Sequence, residues 1–166
     1  MILTSQEERF WFVRNLALGL VSYMGATDPP VWVENFLHYP STPSQKGTTQ
    51  IQETTDIFGE IYERLLYMGG RIISPSDLPE DERRYALARE IIVALGGSKH
   101  GRKLGLPQFI VPYLTELQDY FARILLAPDP MIHAYRKEGG EFHDFAHAFL
   151  IPHRIAEICW QETTLQ

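Results

Sequence analysis

The run Arg83-Arg84-Tyr85-Ala86-Leu87-Ala88-Arg89-Glu90-Ile91-Ile92-Val93-Ala94-Leu95 constrains the fold more than any other stretch of the chain. Past its opening arginines it is apolar on every face, with Arg89 and Glu90 the exceptions at its centre. A helix that is apolar all round has to be enclosed by other elements. The two central charges then need partners or a solvated groove, because an unpaired buried charge is costly. The predicted helix covers about Glu80 to Leu95 and stops at Gly96-Gly97, making it the central, buried helix of the domain.

The remaining sequence supplies helices to enclose it. Ser5-Gln6-Glu7-Glu8 has capping-box spacing, in which hydroxyl and carboxylate satisfy opposite orphan donors. Phe10, Val13, Ala17, Leu20 and Met24 then recur at helical spacing up to Gly25. Trp11, Phe12, Leu18 and Tyr23 make the opposite side apolar too, so this helix is expected to be covered on two sides, either within one chain or against a partner, and a homodimer held by it is the expectation. Asp28-Pro29-Pro30 predicts a second, short helix through Leu37, with Asp as cap and proline in its first turn. Residues 39–55 are rich in Ser, Thr, Pro, Gln and Gly, which predicts a flexible loop over about 40–56 with one edge strand near Gln50.

Ile57, Phe58, Ile61, Tyr62, Leu65 and Leu66 restore helical spacing before Gly69-Gly70, and Arg71-Ile72-Ile73 is the best strand candidate. Further helices are predicted over Pro112–Leu126, over Pro130–Glu138 and in two segments from Glu141 to Gln161 broken at Pro152. With 166 residues, 45% hydrophobic and 22% charged, the chain suits one domain spanning 1–166, mainly α or α+β with at most a small sheet.

Composition also excludes classes. A net charge of −6 argues against nucleic-acid binding, which needs clustered Lys and Arg. The one short basic run, Lys99-His100-Gly101-Arg102-Lys103, is explained as a solvated loop. The lone Cys159 cannot form an intramolecular disulfide and lies in an apolar run, as a buried structural thiol would. No apolar run reaches membrane-spanning length and Glu7, Glu8 and Arg14 interrupt the N-terminal stretch, so the expected location is cytoplasmic, with no membrane partner.

The segments Ile72-Ile73, Leu78-Pro79 and Arg84-Tyr85-Ala86-Leu87-Ala88-Arg89-Glu90 together resemble the approach to the active helix of ImmA/IrrE-type zinc metallopeptidases. Phe121-Ala122-Arg123-Ile124-Leu125-Leu126-Ala127-Pro128 is similar to that family's segment after its third ligand. Phe145-Ala146-His147-Ala148-Phe149-Leu150-Ile151-Pro152, with Ala156 beyond, resembles its closing segment, and Asp28-Pro29-Pro30-Val31-Trp32-Val33-Glu34 its second-helix entry.

The resemblance implies a zincin-like scaffold with a small sheet before the active helix, and His-Glu-x-x-His on that helix, where two histidines one turn apart hold zinc and the glutamate is the base. In this chain the first histidine position is Arg89, the glutamate Glu90 and the second histidine Val93. The third ligand falls on Glu116, or on Thr115 if the register shifts by one. The resemblance therefore implies a degenerate member without metal or other cofactor, with Glu90 a vestigial catalytic residue and Arg89, Val93 and Glu116 lining a vacated cleft. It also implies a regulatory, protein-binding role, since such peptidases act on repressor proteins. Arg89 is expected to pair with Glu116, or with another acid across the cleft, in place of the metal.

A rival reading is an active zinc hydrolase. His143 and His147 stand at i and i+4 with Asp144 between them, and His153 could add a third nitrogen. Aspartate is shorter than glutamate and Pro152 separates His153, so surface histidines flanking Phe142, Phe145 and Phe149 explain the pattern better. A third reading is a small-molecule binding protein that uses the vacated cleft. His38, His100 and His133 stand singly, and no phosphate loop or Gly-x-Ser-x-Gly motif is present.

Overall fold

A computed structural model describes residues 5–37, 57, 59–65 and 78–164, and every regular element among them is helical. The expected strands near Gln50 and at Arg71-Ile72-Ile73, and the loop over 40–56, lie outside the described residues.

Helix α1 spans Gln6–Tyr23 and opens as its sequence dictates. Glu8 N donates to Ser5 Oγ at 3.1 Å and Ser5 N donates to Glu8 Oε2 at 3.2 Å. Val13, Ala17, Leu20 and Val21 face the core, and Gly25 at φ +69° turns the chain away. Of the residues on its second apolar side, Phe12 packs edge-on to Phe109 at 4.8 Å and Leu18 rests against the core. Trp11 alone among them is largely exposed, at 64%. Part of the second cover thus comes from within the chain, one of the two alternatives the sequence leaves open.

Asp28-Pro29-Pro30 does not open an α-helix. The Pro29–Pro30 bond is cis, Asp28 accepts from the Thr27 hydroxyl at 3.2 Å instead of capping, and a 3-10 turn over Val33–Leu37 follows. The reason lies elsewhere in the chain: Val31 and Val33 are fully buried and the Val31 carbonyl is held by Arg84. Further on, residues 59–65 are helical, as their spacing predicts.

Helix α2, Glu80–Gly97, is the predicted central helix, with Glu80, Asp81 and Glu82 in its first turn where the helix dipole favours anions. Ser98 then does two jobs. Its hydroxyl donates to Leu95 O at 2.5 Å, closing α2, and accepts from Gly101 N at 3.0 Å, opening α3 over Lys99–Lys103. The basic run is therefore a helical turn and not a loop. It can pack here because residue 101 is glycine: a Cβ there would stand 2.0 Å from Leu95 O. Gly105 at φ +73° leads into α4, Leu106–Ile110.

Pro112 sits in a 3-10 turn, Val111–Tyr113, so α5 begins two residues later than predicted and runs Leu114–Leu126. Helices α6, Asp129–Lys137, α7, Phe142–Phe149, and α8, His153–Thr164, complete the chain, the break at Pro152 falling where expected. Helix α5 is the hub, packing most extensively on α1 and α2 through Leu117, Phe121, Ala122 and Leu125. Arg14 of α1 reaches Asp129 Oδ2 with Nε at 3.0 Å and Nη2 at 2.8 Å, tying α1 to the start of α6. Cys159 is buried, and loss of solvent pushes its thiol up to about 12, so it stays a protonated, inert core group. None of the described helices is long and apolar enough to cross a membrane.

Candidate functional site

The residues expected to line a cleft lie where α2 packs on α5. Tyr85 and Arg89 stand one turn apart on α2, so their side chains project from one face. Both reach the same carboxylate. Arg89 Nε lies 2.9 Å from Asp119 Oδ1, and the Tyr85 hydroxyl donates to Asp119 Oδ1 at 3.0 Å. The Arg89 N–H is not aimed at an acceptor, so the contact with Asp119 is an ion pair without a well-formed hydrogen bond. Burial, then the Asp119 charge and hydrogen bond, push the Tyr85 hydroxyl up to about 12, which keeps it a donor. Gln118 Nε2 donates to the Arg89 carbonyl at 3.1 Å and fixes α2 against α5 at this level.

The expected partner Glu116 is not the one used. Its carboxylate accepts from Gln6 Nε2 at 2.5 Å, which directs it to α1. Asp119, three residues on along α5, meets Arg89 instead, so the alternative of another acid across the cleft is the one observed. Thr115 is exposed. Glu90 is half-buried and makes no ion pair among the described residues, while Val93 packs against the core. The two positions that the resemblance assigns to histidine ligands thus hold a paired cation and a hydrocarbon.

About a third of the Arg89 side chain and 41% of the Asp119 side chain remain in contact with solvent. The groove is wet. Arg89→Ala is accordingly expected to cost under about 1 kcal/mol in chemical denaturation, as exposed ion pairs do. A loss of several kcal/mol would mean that this pair is a buried structural plug.

The histidines of the rival reading lie at the other end of the chain. His143, 75% exposed, turns to Asp144 at 3.2 Å and to Glu141 at 3.6 Å. His147 is exposed, and His153, 70% exposed, pairs with Glu157 one turn along α8 at 3.2 Å. Among the described residues no three His, Cys, Asp or Glu side chains are grouped to hold a metal ion.

A different residue has the most elaborate environment. Arg84, 2% exposed, sends Nη2 to Val31 O at 2.7 Å, Nε to Leu150 O at 3.1 Å and Nη1 to the Glu34 carboxylate. Its guanidinium also lies 5.5 Å from the Trp32 ring. Sequence reasoning passed over it as one of the opening arginines. The available signal was its place four residues before Ala88 and seven before Ile91, on the buried stripe of the helix.

Comparison of the chain with known protein families, with curated proteins and with solved structures returns no match.

Proposed function

We propose that the chain works without catalysis, as a helical protein that binds another protein, on a scaffold resembling the ImmA/IrrE-type zinc peptidases but without their metal site. The observation that most favours this reading is the state of Arg89. Its charge is answered by Asp119, which is in turn bonded by Tyr85, so the group at the first ligand position is already satisfied. Val93, at the second, offers no donor atom. Glu90 then has no metal-bound water on which to act as a base. For the partner, the exposed apolar side chains Trp11, Leu104, Val111 and Tyr113 supply anchors of the kind protein interfaces use. A second copy of the chain, anchored by Trp11, is the simplest occupant, and the resemblance implies a regulatory setting.

Two measurements test this on untagged protein purified without chelators. Elemental analysis is expected to find well under one zinc per chain, and light scattering a mass above that of the monomer. About one zinc per chain, lost on changing His143 and His147 to alanine, would overturn this reading in favour of the hydrolase. A monomer that carries Trp11 exposed would remove the self-association.

A further inference from the structure

The second cleft of interest lies away from Arg89, between residues 59–65 and the junction of α2 with α3. Glu60, Glu63, Arg64, Ser98, Lys99 and Arg102 line a cavity of about 450 Å³, within the range of small-molecule sites. A glycine shapes the turn beside it. Gly101 lets α3 fold back onto the end of α2, and the Arg64 guanidinium lies beside Gly97.

The charges in this cleft do not balance. Glu60 is occupied: its Oε2 lies 3.0 Å from His100 Nδ1 and accepts from His100 N at 3.3 Å. Burial alone would raise the Glu60 carboxyl, but the hydrogen bonds and charge of His100 outweigh it and hold it below the ordinary value. Its negative charge is thereby committed to the start of α3. Arg64, Lys99 and Arg102 make no ion pair among the described residues, and the exposed Glu63 is the one uncommitted acid facing them. On a chain of net charge −6, three cations around one concavity are a local reversal of sign.

We propose that this cleft binds a small molecule through an oxyanion head group, a phosphate or a carboxylate, held by Arg64 and Arg102 with Lys99 at the rim. Two guanidinium forks suit the paired oxygens of such a group, and an ammonium adds a point charge without a fixed direction. The overall negative charge and the small extent of the basic cluster select a small anion over a nucleic-acid strand, whose affinity depends on an extended basic surface. This site shares no residue with the Arg89 groove and does not depend on the function proposed above.

Calorimetric titration of the whole chain with inorganic pyrophosphate and with citrate, at fixed ionic strength in chloride, tests the proposal. One-site saturation by at least one of them is expected, and the tighter of the two identifies the head group. Arg64→Gln combined with Arg102→Gln should weaken that binding about tenfold or more, the effect of losing one charge-assisted hydrogen bond. Lys103→Gln, outside the cleft, should leave it unchanged. If the double variant loses its helical circular dichroism, Arg102→Gln alone, at an exposed side chain, carries the comparison. No saturation through the millimolar range, binding untouched by the arginine changes, or an equal loss in Lys103→Gln would each overturn the proposal.

Discussion

Arg84→Ala is expected to lower the unfolding free energy by about 3 kcal/mol in urea or guanidinium denaturation, near the lower end of what breaking a buried ion pair costs. The guanidinium is 2% exposed and its three arms end on three separate acceptors, the carbonyls of Val31 and Leu150 and the carboxylate of Glu34. Truncation leaves both carbonyls without this donor and strands the carboxylate, one of whose oxygens is already buried without a partner. Glu34 keeps about a third of its side chain in water, which sets the estimate at the lower end. Lysine at 84 should recover only a small part, because one ammonium cannot span three acceptors that a planar fork reaches. A cost under about 1 kcal/mol would show that Arg84 behaves as a surface charge and that the tie is not made in solution.

Phe145→Ala is expected to cost about 3–5 kcal/mol, the range for deleting a buried ring from a packed core. Phe145 is fully buried and stands among Phe149 at 4.7 Å, Trp160 at 5.1 Å and Tyr135 at 5.9 Å. These rings come from α6, α7 and α8, so the cavity would open where three helices meet. Arg136 covers Trp160 at 3.6 Å and donates to its carbonyl at 2.7 Å, which hinders collapse of that ring into the gap. Denaturation with an unchanged m value is the expected form of the loss. A cost below about 1 kcal/mol would mean that the three helices form a loose appendage and not part of the core.

What the sequence reveals about this molecule divides by range. Ser5 and Glu8 announce α1 because the capping box is made within one turn, and the structure forms it as written. The all-apolar run announces α2 because no exposed helix could carry it. Local signals fail where a distant residue decides. Asp28-Pro29-Pro30 carries a helix-opening pattern, but the following residues are taken up by the core and by Arg84, fifty positions away. Lys99–Lys103 has loop composition, but Ser98 and the missing side chain of Gly101 turn it into a helix packed on its predecessor.

The same distinction applies to the site. That Arg89 needs an acid follows from its place in an apolar helix. That the acid is Asp119 and not Glu116 depends on how α2 and α5 cross, a difference of one helical turn that no pattern in either segment encodes. The cleft beside Arg64 was illegible because its residues come from two stretches of chain separated by more than thirty positions.

The contacts of Arg84 have a consequence for how the chain gains and loses its structure. Its partners lie 50, 53 and 66 positions away, two before it and one after it. One side chain therefore closes two long loops at once, and such closures cost entropy before their contacts can form. The carbonyl on the far side belongs to Leu150, held at φ +51° in a left-handed turn that seldom suits a residue with a side chain, so that acceptor is in position only once α7 and α8 are both in place. The early third of the sequence and the last helices are thus coupled through the middle one. A fragment cut between Leu126 and Asp129 would not be a smaller version of this fold, since its central helix would hold a guanidinium with one of its three acceptors missing.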